Sequence, residues 1–395
     1  MSGVTETERC DLCGSSGLAM AYDVPGTARG LKAYVCDDCG LVQSLPRIDH
    51  VARRSAFPDS GAGFGNIRYG KGFRTQFALD TIAKYRPLER FKYCMDVGAN
   101  RGSFILALQK QAPDIKIDAV EPDERVLAEY QGRENIAVIN KRIEAVALPK
   151  AKYDLVYHCH TLEHEAHPLS SLRAVCEAMT PDGILFLEVP NIAFLAGTDL
   201  VEEWFIDKHL YHYSAPTLCA TLEAAGFKIL QAPNPDDVTN LTVIATPGQV
   251  KQAGAIAGET VEKKALLAAY AKNLQENQQK LKAGAQNLMT FAGHRRVVIW
   301  GAGRIFTSLV DIGGFDARRL AGVVDKNIHK YVSEMFGVAI KAPEAITEMK
   351  PDVVLVASRL YLDEIKVELD ALMPGTDVLT LDDVLKGRVG EDHEK

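Results

Sequence analysis

Asp96-Val97-Gly98-Ala99-Asn100-Arg101-Gly102 follows the apolar run Tyr93-Cys94-Met95, and a second apolar run further on ends in Glu121. Small residues in such a turn let backbone approach a ligand, and an acid about 20 residues beyond it is placed to hold a ribose diol. The stretch therefore reads as a nucleoside site at the end of a parallel strand. A dinucleotide site uses GxGxxG, whose second glycine admits a pyrophosphate. Here the pattern is Asp-x-Gly-x-Asn-x-Gly. A carboxylate at the strand end repels a pyrophosphate and attracts the cationic amino end of a sulfonium amino acid, so the turn specifies S-adenosylmethionine (SAM).

Outward from this turn, short β-rich runs alternate with helix-forming stretches between residues 70 and 247. Residues 93–97, 117–121, 137–139, 153–157 and 183–189 read as five strands. That alternation predicts a doubly wound parallel sheet in an α/β fold. Ligands of such sheets sit at the carboxyl ends of the strands, where Gly98, Glu121 and Tyr157-His158 fall. The expected cofactor contacts are Asp96, Gly98, Ala99, Asn100 and Gly102 from the turn, and Glu121 and Pro122 at the second strand end. Ile143 and Glu144 are expected near the adenine amino group, and His158 and His160 after the fourth strand.

Ahead of this region lie Cys10-Asp11-Leu12-Cys13 and Cys36-Asp37-Asp38-Cys39, separated by 22 residues and each followed by glycine. Two such knuckles place four thiolates around one zinc ion with no open coordination position, so the metal is expected to be structural. Metal binding would supply folding energy that so short a segment lacks. The acidic Asp11, Asp37 and Asp38 argue against a nucleic-acid role for the knuckles. Cys94, Cys159, Cys176 and Cys219 lie in apolar segments and read as small buried side chains.

The chain has 395 residues, 47% apolar and 25% charged, with a net charge of −7. This is the composition of a soluble protein of two or three domains. The negative balance and the lack of a basic stripe argue against a general nucleic-acid binder. No apolar run reaches bilayer length, so no membrane partner is expected. The start of the chain has no basic, apolar leader, and a cytoplasmic location is the expectation.

From residue 251 to 292 the sequence is polar and Gln-rich, with Leu267, Leu274, Leu281 and Leu288 seven apart. One stripe of a long helix is apolar, but Asn277 and Gly284 interrupt the second position of the heptad. This favours a helix packed on its own chain over a dimeric coiled coil, and a monomer or weak dimer is expected. Beyond it, Trp300-Gly301-Ala302-Gly303 opens a second, smaller α/β region. Its lone GxG, with Phe306 in place of the third glycine, is a weak nucleotide signal, although Asp325 sits at a ribose-like distance.

In this order, the two Cys-x-x-Cys pairs, the Asp96-to-Gly102 turn, Leu187-Glu188-Val189-Pro190-Asn191, His209-Leu210-Tyr211-His212-Tyr213-Ser214 and Trp300-Gly301-Ala302-Gly303 form a recognisable set. The chain resembles the three-domain SAM-dependent sugar C-methyltransferases of deoxysugar pathways over nearly its full length. The resemblance implies a central class I methyltransferase (Rossmann-like) sheet, an N-terminal zinc-ribbon-like domain and a smaller C-terminal Rossmann-like domain. The expected divisions are 1–69, 70–249, a helical linker at 250–292, and 293–390. It also implies that a histidine in a Tyr-x-Glu-His-x-x-x-Tyr-Ser-like segment removes a proton beside a ketone of a nucleotide-linked sugar, and that the enolate then attacks the methyl group. His209 falls on that histidine, and Tyr213 and Ser214 fall on the closing pair. Ile206 stands where the family has Tyr and Lys208 where it has Glu. Those departures bear on the substrate and the base, not on the cofactor.

Imidazole titrates near neutrality, so a histidine facing the methyl group is a suitable base. Glu188 and Asn191, on the rim after the fifth strand, are placed to orient the base or a sugar hydroxyl. Tyr211 and Tyr213 alternate with His212 as on a strand, so one set faces the site. The expected catalytic set is His209, Glu188, Asn191 and Tyr211, with His212 as a competing base. His160 or Glu163 is expected near the methionine end of the cofactor, and His164 near the substrate. Tyr69, Lys71 and Arg74 are candidate cover or grip residues for an anionic substrate. Other readings stay open: O-methylation of a sugar or another small hydroxylated metabolite, a non-catalytic zinc-containing binding protein, and an oxidoreductase using Gly301-Ala302-Gly303.

Overall fold

A computed structural model of the chain describes residues 9–27, 30–47, 73–330, 332–359 and 361–389, apart from the side chains of Phe73, Arg125 and Leu127. The chain divides into two compact units, one from residues 1–196 and 205–268 and the other from residues 197–204 and 269–395.

In the first unit, three short strands follow and flank the cysteines: β1 (Leu18–Asp23), β2 (Lys32–Cys36) and β3 (Val42–Leu45). They are followed by β4 (Tyr93–Val97), β5 (Lys116–Val120), β6 (Ile136–Ile139), β7 (Tyr153–Cys159), β8 (Met179–Pro190), β9 (Tyr211–His212), β10 (Phe227–Gln231) and β11 (Asn240–Pro247). Seven of these form one sheet in the order β10-β11-β8-β7-β4-β5-β6. Strands β4 to β8 pair in parallel, and β11 and β10 close one edge antiparallel. The strand order reverses between β4 and β7, and a crevice opens at the carboxyl ends of strands at such a point.

Side chains alternate across the sheet. Register pairs Asp96 with Tyr157, Cys159 with Glu188, and Glu188 with Thr242. These side chains therefore share one face. Beneath them Cys94, Leu155, Ile184, Phe186 and Ile244 pack with Leu79 of the helix Phe73–Ala83 and with Ile105 and Leu108 of the helix Ser103–Gln111. Phe104 stacks on Tyr157 with centroids 3.7 Å apart, and Tyr157 lies 5.4 Å from Phe186. The opposite face buries Met95, Val97, Val156, Leu185, Leu187 and Val189 against Leu172 and Val175 of the helix Pro168–Ala178 and Leu218 and Leu222 of the helix Ala215–Ala225. Each such aliphatic side chain contributes about 1.5–3 kcal/mol of burial, which fixes the rim to which the polar residues are attached.

The cysteine-bearing strands do not close on themselves. Their sheet has the order β1-β2-β3-β9, so its fourth strand comes from residues 211 and 212. Val42 pairs with His212 and Gln43 with Tyr211, and Ser44 N donates to Leu210 O at 2.9 Å. Each knuckle turns back through a glycine at φ +74°, with Gly14 N donating to Cys10 O and Gly40 N to Cys36 O. Two of the acids around the knuckles, Asp11 and Asp37, are docking groups. Asp11 caps the helix Pro168–Ala178 by accepting from Leu169 N at 2.9 Å, and Asp37 pairs with Lys264 at 2.7 Å. A carboxylate is favourable at a helix N-terminus, where backbone N–H groups lack partners.

The helix Glu259–Ala292 begins in the first unit and continues into the second. All four leucines of its stripe are buried. The two residues that break the heptad have structural reasons within the second unit. Asn277 donates to Thr198 O and Leu200 O at 2.8 and 2.9 Å, and a Cβ on Gly284 would overlap Val384 O. The second unit also holds β12 (Val297–Trp300), β13 (Gly322–Val324), β14 (Glu334–Met335), β15 (Val338–Lys341), β16 (Val353–Val356) and β17 (Asp377–Thr380), in the order β14-β15-β13-β12-β16-β17. All but the edge strand β14 pair in parallel. At its GxG turn the Asp325 carboxylate accepts from the backbone of Ala302, Asn327 and Ile328, so the acid at ribose distance is occupied by its own loop.

Candidate active site

The turn after β4 is built from left-handed residues: Gly98, Asn100 and Gly102 have φ of +77°, +48° and +71°. Only glycine enters this region freely, with asparagine next. A Cβ on Gly98 would overlap Thr161 Oγ1 and lie 3.1 Å from Thr161 Cβ. The Thr161 hydroxyl is shared by the carbonyls of Val97 and Cys159, each at 3.2 Å. Gly102 lies against the Tyr130 ring, whose hydroxyl donates to Asn100 O. Part of the glycine spacing therefore serves the protein's own packing. Thr161 and Tyr130 carry no sequence signal for that role, because each meets the turn only through the fold.

Asp96 is 2% exposed, and its Oδ1 has no hydrogen-bond partner among the described residues. Burial, with Glu121 nearby adding to it, pushes its carboxyl well above the usual carboxylate range. A buried acid without a donor is costly and marks a place for a group that donates to it. Glu121, at the end of β5, accepts from Asn100 N at 2.7 Å and Asp123 N at 2.8 Å. Burial raises its pKa, and those two amides partly offset the rise. Two of its roughly four lone-pair positions stay open. Ala99 N donates to Val120 O, which holds the turn on β5, and Pro122 continues the rim from Glu121. Ile143 is buried in the core cluster that holds Val97 and Val120.

Two residues expected at the cofactor have partners within the protein itself. Glu144 accepts from Ala166 N at 2.9 Å and lies 3.4 Å from Arg142, so its carboxylate is held by its own chain. His158 pairs with Val97, which places its side chain on the face opposite Asp96. There it is fully buried, with Nε2 2.9 Å from Glu165 Oε1. The register of β7 against β4 decides this, and a single sequence does not reveal register.

Beyond β7 and β8, three histidines and two acids converge. His160 takes φ +50°, a strained value for a residue with a side chain. Its Nε2 lies 3.3 Å from Glu188 and its Nδ1 3.6 Å from Glu163. Burial opposes a charge on His160, yet Glu163 and Glu188 outweigh it and raise its pKa. Glu188 is also bound by Arg74 Nε at 2.9 Å and by the Thr242 hydroxyl at 2.8 Å. Burial would raise its pKa, but His160 and Arg74 bring the net shift downward. Arg74 thus answers an acid of the protein itself, while Tyr69 and Lys71 lie outside the described residues.

Glu163 and His164 belong to a single turn of 3-10 helix, Leu162–His164. His164 Nδ1 lies 2.7 Å from Lys208 O, its Nε2 lies 3.6 Å from Glu163, and its ring centroid is 4.8 Å from that of His209. Glu163, His164 and His209 present nitrogen and oxygen atoms all within 4.8 Å of one another. Burial, with His164 next, holds the His209 imidazole well below its usual range, so the ring is neutral near pH 7, able to accept a proton but with less affinity for it than an exposed imidazole.

The segment after His209 departs from expectation. Tyr211 is buried and its hydroxyl donates to Ala166 O at 2.9 Å, while Arg47 covers its ring at 5.1 Å. His212 Nε2 meets Ser44 Oγ at 2.8 Å and its ring packs on Phe205 at 4.6 Å. Pairing with β3 ties both residues to that sheet, and each side chain has a partner within the protein. Asn191 is likewise committed, donating to Asp237 O at 2.8 Å and accepting from Ala193 N at 3.0 Å. These two bonds hold the loop after β8. His209 and Glu188 are the members of the expected catalytic set that reach the cluster.

Residues 71–232 match the family profile of a methyltransferase domain, and residues 293–377 match that of a C2185-like N-terminal domain. A tRNA U34 carboxymethyltransferase of Desulfotalea psychrophila is 25% identical over 126 residues, which are 30% of this chain and 39% of that protein. The chain thus spans well under half the length of that curated relative. Among solved structures, a SAM-dependent methyltransferase from Mesorhizobium loti aligns at 17% identity and TM-score 0.36, covering 42% of this chain and 96% of that one. The Burkholderia thailandensis 1,6-didemethyltoxoflavin-N1-methyltransferase, bound to its ligand and S-adenosylhomocysteine, aligns at 18% identity and TM-score 0.40, covering 58% of this chain and all of that one. The seven-stranded sheet of the first unit thus belongs to a methyltransferase domain.

Proposed function

We propose that the chain is a SAM-dependent methyltransferase of a small hydroxylated metabolite, and that its acceptor is a nucleotide-linked sugar methylated at carbon. The observation that carries the cofactor assignment is the buried Asp96 carboxylate, with an oxygen that has no donor among the described residues, at the switch point of the sheet. The residues present fit the cofactor: Asp96 would receive its amino group and Glu121 the ribose hydroxyls through its open lone pairs. When bound, SAM supplies a methyl carbon activated by a sulfonium. His209, kept neutral by its surroundings, takes the proton from the acceptor carbon. Glu188, fixed by Arg74 and Thr242, orients His160 toward the same rim. O-methylation is the second reading, supported by Ile206 and Lys208 at the positions where the resembling family has Tyr and Glu.

The four thiols fit a zinc ion. Tetrahedral Zn–S bonds of about 2.3 Å imply S···S separations of about 3.8 Å. Cys10 and Cys39 are 3.4 Å apart, Cys13 and Cys36 are 3.6 Å apart, and all four sulfurs lie within 4.8 Å. With sulfur at every position, the ion would be structural. Mass spectrometry of nucleotide-sugars incubated with protein and SAM, searched for replacement of H by CH3, tests the acceptor. A methyl gain on carbon supports this reading, a gain on oxygen the second. No gain on any nucleotide-sugar, with methylation only of compounds that carry no hydroxyl, would overturn both.

A further inference from the structure

We infer that Glu163 is the positioning residue for His209: its buried carboxylate holds the charge the ring acquires on taking a proton. Lys208, the residue before His209 in sequence, is exposed and cannot supply a negative charge. Glu163 supplies it from a different part of the chain. Two backbone ties fix the arrangement, Leu210 N donating to Glu163 O at 2.8 Å and His164 Nδ1 lying 2.7 Å from Lys208 O. They lock the turn Leu162–His164 to the strand-like segment that carries His209.

Within this arrangement Glu163 is 2% exposed and its Oε2 has no hydrogen-bond partner among the described residues. Its Oε1 is 3.6 Å from both His160 and His164. The charged or titratable groups around His209 are His164 and Glu163 from one side, Lys208 beside it and His212 on the following strand, with His160 reached through Glu163. Glu163 is the one acid among them. Burial alone would raise its pKa, but the imidazoles that face it, His164 foremost and then His160, outweigh burial and bring it well below the usual carboxylate range. The role rests on His209 being the base proposed above. In that step the C–H bond of the acceptor breaks, its proton goes to a His209 nitrogen, and the electron pair stays on the acceptor. Glu163 remains a carboxylate throughout.

The test needs no acceptor. The ring Cε1–H resonances of the full-length protein are titrated by NMR, with His209 assigned by its disappearance in His209→Asn. In Glu163→Gln the His209 midpoint should fall by about 1 pH unit, the scale of an opposite charge within 4–6 Å. Glu163→Asp should restore most of the shift. A midpoint unchanged in Glu163→Gln, in protein whose circular dichroism matches wild type, would overturn the inference. A displaced midpoint in a protein that transfers no methyl group would leave this pairing standing and remove only the functional reading above.

Discussion

Ser44 Oγ lies 2.8 Å from His212 Nε2, joining residues 168 apart in sequence. Ser44 sits on β3, downstream of the second cysteine pair, and His212 is three residues past His209. The contact therefore ties the segment carrying the proposed base to the sheet that the four thiols organise. Removing the proposed zinc should unpair β3 from β9 and displace His209, while β4 and β5 keep their own core. Chelated protein, or Cys36→Ser, should lose more than 10-fold in methyl transfer yet bind SAM within about 3-fold of wild type. Equal loss of both would show that the cysteine module supports the whole sheet instead.

Acid should destabilise the first unit through its neutral histidines. Burial depresses His212 to about 3 and holds His209 well below its usual range. Both pKa values are lower folded than unfolded, so below about pH 6.5 the unfolded chain binds more protons. Stability should then fall with pH by about 1.4 kcal/mol per unit for each of these histidines, down to the folded pKa. Urea unfolding between pH 8 and 5 should show this slope, and His212→Asn should flatten it by one proton. A slope that His212→Asn leaves unchanged would contradict the buried, neutral state.

Asp96 presents the opposite sign. Its folded pKa is raised by burial and by Glu121, so its charge opposes folding above its unfolded pKa. Asp96→Asn should raise the melting temperature of the SAM-free protein by a few degrees at pH 7, while weakening the cofactor. Such an exchange of stability for binding is expected of a functional acid. A lower melting temperature would mean that Asp96 is held by partners other than a ligand.

Gly98 has no room for a side chain, because Thr161 occupies the space and the backbone is left-handed. Gly98→Ala should cost about 2–4 kcal/mol, combining overpacking with left-handed strain. Adding Thr161→Gly should recover the overpacking share alone. Full recovery in the double variant, read by urea unfolding, would show that the φ of +77° carries no cost.

Much of this was legible in the sequence, for reasons that differ by residue. The turn from Asp96 to Gly102 announces itself because glycine and asparagine spacing is a local requirement of the backbone. The paired cysteines do so because coordination chemistry demands their spacing. The leucines of the long helix reveal its buried stripe. What the sequence hid was set by register and by distant packing. His158 looked equivalent to Asp96 until strand pairing placed it on the other face. Tyr211 and His212 read as site residues because their second partner, β3, lies about 168 residues earlier. Arg74 reads as a free cation from sequence and as the counter-charge of Glu188 in the fold.

The central claim is that SAM binds through Asp96 at the switch point of the sheet, and calorimetry tests it most directly. Titration of the full-length protein should show one SAM per chain. Asp96→Ala should weaken that binding by about 10- to 100-fold, the scale of a charge-assisted hydrogen bond, while His209→Ala leaves it within a few-fold. SAM that fails to bind, or binds equally well to Asp96→Ala, would contradict the account.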